Sequence, residues 1–179
     1  MTGSPPAPIV PVPAAGQPSL RGHRVIVGVP GVGWRGDLRA DDAVVRGSRT
    51  FVPVITEQDY YRAETDDLEV FAPLVPIDRV WVEQVAEGAG PMLVTITLDA
   101  PPRRAPLPAS LATNITGARV VRGVPDGHIR GLRAVTEIYD NETGAACARV
   151  CDEAEWYAWA LNGTTPATAE VPIDLLWVE

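Results

Sequence analysis

Apolar and polar positions along this chain change rhythm every few residues, and the same succession of rhythms occurs twice. RVIVGVP at 24–30 and ARVVRGVP at 118–125 are short apolar runs ended by Gly and Pro, the pattern of a brief strand followed by a turn. A Gly-rich, Arg-containing loop follows each. Hairpins come next: AVV, turn RGS and RTFVPVI at 43–55, then LRAVTEIYD, turn NETG and AACARVC at 132–151. Alternation in AVTEIY and the Asn and Gly of its turn predict the second hairpin.

Each hairpin leads to a segment with a helix start. Thr56 with Asp59, and Asp152 with Glu155, have the three-residue spacing of a capping box, and the acidic first turns suit the positive end of a helix dipole. Each predicted helix is short, two to three turns. Last come VPIDRVWVE at 75–83 and VPIDLLWVE at 171–179, identical at seven of nine positions. Pro76 and Pro172 belong at the start of that strand or on a sheet edge.

The chain is thus a tandem duplication. Gly22, Arg24, Val25 and the GVP triplet at 28–30 align with Gly117, Arg119, Val120 and the triplet at 123–125. Arg35-Gly36 aligns with Arg130-Gly131, which sets Trp34 against Ile129. After one skipped residue, LRA at 38–40 aligns with LRA at 132–134. The order of strand, loop, hairpin, short helix and strand predicts a mainly β protein made of two small SH3-like barrel units related by a pseudo-two-fold axis. A helix packed on a curled sheet is the alternative. Four segments are expected: a Pro-rich, disordered arm over 1–20, a first β repeat over 21–83, a connecting segment over 84–105 and a second repeat over 106–179. GPMLVTITLDA at 90–100 alternates like a strand within the connecting segment.

Composition narrows the function. A net charge of -8 with no basic run longer than Arg103-Arg104 argues against nucleic acid as a partner. All fifteen basic residues are Arg, so neither a Schiff-base lysine nor a phosphate-loop lysine is available. GVPGVG at 28–33 has the wrong glycine order for a dinucleotide fingerprint and a Pro inside it, so no cofactor is expected. No apolar run approaches a membrane span, and residues 1–16 lack the charged and apolar regions of a signal peptide; a cytoplasmic protein is expected. Cys147 and Cys151 lie about 13 Å apart on an extended strand, too far for a disulfide, and read as two small core residues.

No catalytic constellation is evident. His23 and His128 are the only histidines and do not align, no serine sits in a nucleophile elbow, and the pairs Asp41-Asp42 and Asp66-Asp67 lack calcium-loop spacing. Enzymatic activity and a metal site are therefore not expected. The shared arginines, 24/119, 35/130 and 39/133, read as ion pairs within each unit, for example with the Asp of VPID. Trp81 and Trp177 read as core.

Residues held in both copies serve the common fold, so a specific activity belongs where the copies differ. Trp34, Arg35, His128, Arg130, Trp156 and Trp159 are the candidate binding residues, since Trp and Arg anchor interfaces. The expectation is a non-enzymatic protein-interaction or assembly module with a protein partner. The Pro-rich arm itself reads as a disordered segment, a polyproline-II ligand or a strand that docks in an assembly. The alternative function is a small-molecule or nucleotide sensor with its ligand between the repeats, near Trp34 and His128.

Overall fold

Each repeat curls because its last strand returns to pair with the first long strand of the meander. The structure, a computed structural model, describes residues 4–86 and 99–179. The described residues separate into two compact units. One holds residues 9–86 and 99–103, the other residues 4–8 and 104–179. The strand expected over 90–100 lies almost wholly outside the described residues; Asp99 and Ala100 are a turn and a bend.

The first unit contains β1 (Ile9–Pro13), β2 (Arg24–Val29), β3 (Gly33–Ala40), β4 (Val44–Arg46), β5 (Arg49–Thr56), α1 (Glu57–Asp66), β6 (Leu74–Pro76) and β7 (Val80–Val85). All pairings are antiparallel, in the order β1-β7-β2-β3-β5-β4, with β6 on the far half of β5. One 3-10 turn, Ile77–Arg79, carries the chain from β6 to β7. The alternating apolar positions of these strands meet inside, where Val25, Val52, Val80 and Val82 are fully buried. Residues expected in the disordered arm are built into this unit: β1 pairs with β7 over five residues, and Ala14 and Leu20 lie in the core.

The second unit repeats the plan with β8 (Leu107–Pro108), β9 (Arg119–Val124), β10 (Gly127–Ala134), β11 (Tyr139–Asp140), β12 (Ala146–Asp152), α2 (Glu153–Asn162), β13 (Ala169–Pro172) and β14 (Leu176–Val178). Its order is β11-β12-β10-β9-β14-β8, with β13 on β12 and the 3-10 turn Ile173–Leu175 before β14. The duplicated, mainly β, SH3-like plan is thus the observed one. Val120, Val150, Val171 and Leu176 occupy the second core. Both cysteines are buried, and burial pushes the Cys151 thiol up to about 11, which keeps it from reacting as a thiolate.

Strand register corrects the alignment between the copies. Trp34 lies opposite Gly28 and His128 opposite Gly123, so Trp34 and His128 are equivalent, and Ile129 matches Arg35 instead. The one-residue difference in length falls in the turn, Pro30-Gly31-Val32 against Pro125-Asp126, and no residue is skipped after the Arg-Gly pair. Gly36-Asp37 and Arg130-Gly131 form the same β-bulge, two residues facing one on the neighbouring strand. The bulge needs a positive φ, supplied by Asp37 (55°) in one copy and Gly131 (75°) in the other. Glycine in only one copy hid the match.

Helix starts also differ. Thr56 accepts from the Asp59 amide at 3.1 Å, as the capping box predicts, while the Asp59 carboxylate accepts from the Thr56 hydroxyl at 2.7 Å. Asp152 is the N-cap of α2 but makes no side-chain cap bond, and Glu155 accepts from the Ala167 amide at 2.9 Å. Glu155 is drawn away to hold the loop after α2. The expected strand continuity of LRAVTEIYD also breaks after Ala134, because Glu137 turns aside to the loop before β9.

That turn and its counterpart are carboxylate clasps. Asp42 accepts from the Leu20 amide (2.9 Å), the Ser19 hydroxyl (2.7 Å) and the Arg21 amide (3.2 Å). Glu137 accepts from the Ile115 and Thr116 amides at 3.2 and 3.1 Å. The Leu20 amide holds the Asp42 carboxyl below its ordinary range, and the Thr116 side chain, with the two amides, does the same for Glu137. A lowered folded value stabilises above the unfolded carboxylate range and loses that contribution as pH falls through the folded value. The double variant Asp42→Asn, Glu137→Gln is therefore expected to be less stable than the parent at neutral pH. The gap should close in acid. Urea midpoints measured across pH check this; a gap independent of pH would refute it.

Candidate functional site

Two clamps of charge lie inside the units, and sequence reasoning identified only half of each. Arg39 on β3 lies beside Arg24 on β2, and Arg133 on β10 beside Arg119 on β9. Their acidic partner is the first residue of each helix, Glu57 (1% exposed) and Glu153 (3%), and not the exposed Asp78 or Asp174. Arg24 Nε donates to Glu57 Oε1 at 2.6 Å, with Arg39 Nε 3.1 Å from the same oxygen. Arg133 Nε donates to Glu153 Oε1 at 2.8 Å. The remaining guanidinium donors are used in the same way in both copies. Arg39 donates to the Gly22 carbonyl (2.9 Å) and the Tyr61 hydroxyl (3.0 Å), Arg133 to the Gly117 carbonyl (2.9 Å) and the Tyr157 hydroxyl (3.1 Å). Each guanidinium also lies over two rings, Tyr60 and Tyr61 or Trp156 and Tyr157, at 5.3 to 5.5 Å. This fork of donors pins helix to sheet, although Arg39 Nε meets Glu57 as an ion pair without hydrogen-bond geometry. Trp156, expected as a binding residue, is thereby part of the scaffold. Trp159, one turn further, remains exposed on α2. Glu57 and Glu153 were legible as aligned residues inside TEQDYYRA and DEAEWYAW, but acids at a helix start read as dipole partners.

The corrected alignment brings out a second feature. Trp34 packs edge-on to Trp81, with ring centroids 6.4 Å apart at 82°, and its equivalent His128 packs edge-on to Trp177 at 5.7 Å and 81°. Arg35, next to Trp34 on β3, is exposed. Comparisons of this chain with known protein families, with curated proteins and with solved structures find no match.

In the second unit His128 and Arg130, two apart on β10, both reach residues 4–8. His128 Nε2 lies 2.8 Å from the Ser4 carbonyl oxygen, to which it donates. Arg130 donates through Nη2 to the Ala7 carbonyl and pairs through Nη1 with Glu179. Burial pulls the Arg130 guanidinium below its ordinary value, though an arginine stays cationic near neutrality. Residues 4–8, with Pro6 buried, are thus held on this face. The equivalent positions of the first unit carry Trp34 and Gly36, which supply neither a His nor an Arg donor.

A third feature distinguishes the copies. Four equivalent positions at the outer edge differ in kind: Val44 against Tyr139, Val45 against Asp140, Pro53 against Arg149 and Leu74 against Glu170. In the second unit these positions are polar or charged, and Tyr139 and Glu170 join Asn141 in a network. Glu170 accepts from the Tyr139 hydroxyl at 2.6 Å and from Asn141 at 3.0 Å. In the first unit they line an open apolar groove of about 810 Å³, flanked by Phe71 (88% exposed) and Val45 (72% exposed). Neither Phe71 nor Val45 was singled out in the sequence, because an isolated Phe in a loop carries no periodic signal.

Among the described residues, no cluster of His, Cys, Asp and Glu is placed to hold a metal, and no helix is long and apolar enough to cross a membrane.

Proposed function

We propose that the protein is a non-enzymatic interaction or assembly module of two SH3-like units, and that the first unit offers its apolar outer edge to a protein partner. The observation that carries this is that Val44, Val45, Pro53 and Leu74 stand where the other copy has the polar and charged Tyr139, Asp140, Arg149 and Glu170, with Phe71 standing almost fully exposed beside them. Contiguous exposed apolar surface is uncommon on a solitary soluble protein and marks sites of association. Here the same scaffold carries the polar solution in its other copy, so the fold does not require the apolar one. Among the described residues β4 is also the last strand of its sheet, an edge of the kind that accepts an added strand.

The substitution Phe71→Asp removes the largest exposed apolar group without touching the core. Affinity purification of the full chain from its native host is expected to yield a specific protein with the parent and to lose it with Phe71→Asp, while the urea midpoint is unchanged. The same co-purifying proteins on both baits would overturn the assignment of this edge.

A further inference from the structure

We propose that the His128–Arg130 face of the second unit is a recognition site for proline-rich extended segments, that residues 4–8 occupy it in cis, and that a partner's segment of the same chemistry displaces them. The occupant itself shows what the face accepts. Ser-Pro-Pro-Ala-Pro at 4–8 contains three prolines, which have no N–H and present carbonyl oxygens only. The face answers with donors: the His128 ring nitrogen takes the Ser4 carbonyl and the Arg130 guanidinium takes that of Ala7.

The two accepted carbonyls both belong to residues that precede a proline, Ser4 before Pro5 and Ala7 before Pro8, a position biased toward extended backbone. Their donors are two residues apart on one strand. Trp177 braces the His128 ring edge-on, and Glu179 steadies the Arg130 guanidinium from its other arm. Both donors thus arrive oriented, which limits the entropy lost on binding. The first unit keeps the brace in Trp81 and the acid in Glu83, but has Trp34 and Gly36 in place of the donors. The His–Arg donor pair is thus a feature of the second unit.

A tethered segment acts at an effective concentration in the millimolar range, so residues 4–8 outcompete a dilute peptide until a partner adds contacts elsewhere or the arm is loosened. The test uses the full chain and a fluorescein-labelled Ser-Pro-Pro-Ala-Pro peptide, followed by anisotropy. The arm is loosened by Pro5→Gly with Pro6→Asp, and more mildly by Pro5→Gly with Ala7→Gly, which acts through the backbone alone. Both loosened chains are expected to bind the probe about tenfold or more tightly than the parent. Adding His128→Phe, which keeps a ring against Trp177 but removes the donor, is expected to return binding to the parental level or below. Phe71→Asp should leave it unchanged, which separates this site from the apolar edge. Equal binding by parent and loosened chains, no binding by any, equal affinity for a Ser-Ala-Ala-Ala-Ala probe, or loosened chains that form dimers and ignore the probe would each overturn the proposal.

Discussion

Glu153→Ala is expected to lower the unfolding free energy of the second unit by about 3–5 kcal/mol, the cost of leaving a buried charge without its partner. Glu153 is 3% exposed and accepts from Arg133, whose side chain is itself 9% exposed. Arg119, also buried, lies beside Arg133 across the β9–β10 pair. Removing this carboxylate takes its negative charge away from Arg133 and its neighbour Arg119 in a region that water hardly reaches. Gln at this position keeps an oxygen to accept from Arg133 Nε but not the charge, so Glu153→Gln should fall between parent and Ala. Adding Arg133→Met to Glu153→Ala should recover part of the loss, because one stranded charge goes with it. In the first unit the arginines are more open, at 18% and 14%, so Glu57→Ala should cost less. Urea unfolding followed by far-ultraviolet circular dichroism measures all four. A Glu153→Ala loss below about 1 kcal/mol, the range of an exposed pair, would show that water screens the clamp.

Trp177→Ala should cost the second unit about 3–5 kcal/mol, as removal of a large buried aromatic does. Trp177 is 5% exposed and lies over Gly123 so closely that a β-carbon there would meet the ring at 3.0 Å. The surroundings cannot close this space, since Gly123 offers no side chain to move into it. Its counterpart Trp81 is only half-buried, and in the first unit it is Trp34 whose ring lies at 3.0 Å from the equivalent point above Gly28. Trp81→Ala should therefore cost clearly less, although the two residues occupy the same place in VPID-x-x-WVE. Equal losses from the two variants in thermal and urea unfolding would contradict this reading of the packing.

The barrel was legible in the sequence because its signals are local and doubled. Short apolar runs, Gly and Pro at the turns and two nearly identical closing segments leave few arrangements open, and the structure adopts the expected order of elements. The errors came from long-range geometry. A β-bulge held by Asp37 in one copy and Gly131 in the other moved the alignment by one residue, which paired Trp34 with Ile129 and concealed its equivalence to His128. Residues 9–13 read as part of a proline-rich arm because alternating prolines suppress strand signals. They form an edge strand, where proline is tolerated. The contacts of His128 and Arg130 lie 124 and 123 residues away along the chain, a separation over which pattern carries no information.

The near-identity of β7 and β14 also bears on how the chain reaches its fold. Each closes its barrel by pairing with that barrel's first long strand, β7 with β2 and β14 with β9. Residues 75–83 and 171–179, which carry into β7 and β14, match at seven of nine positions, so either segment has most of what it needs to close the other seam. Misassembly between like neighbours is the characteristic hazard of repeated domains. Synthesis on the ribosome runs from one end, so β7 emerges and can seal the first barrel before β14 exists. Refolding from denaturant gives the chain no such order: both strands compete from the first moment, and the separation that translation provides in time is lost.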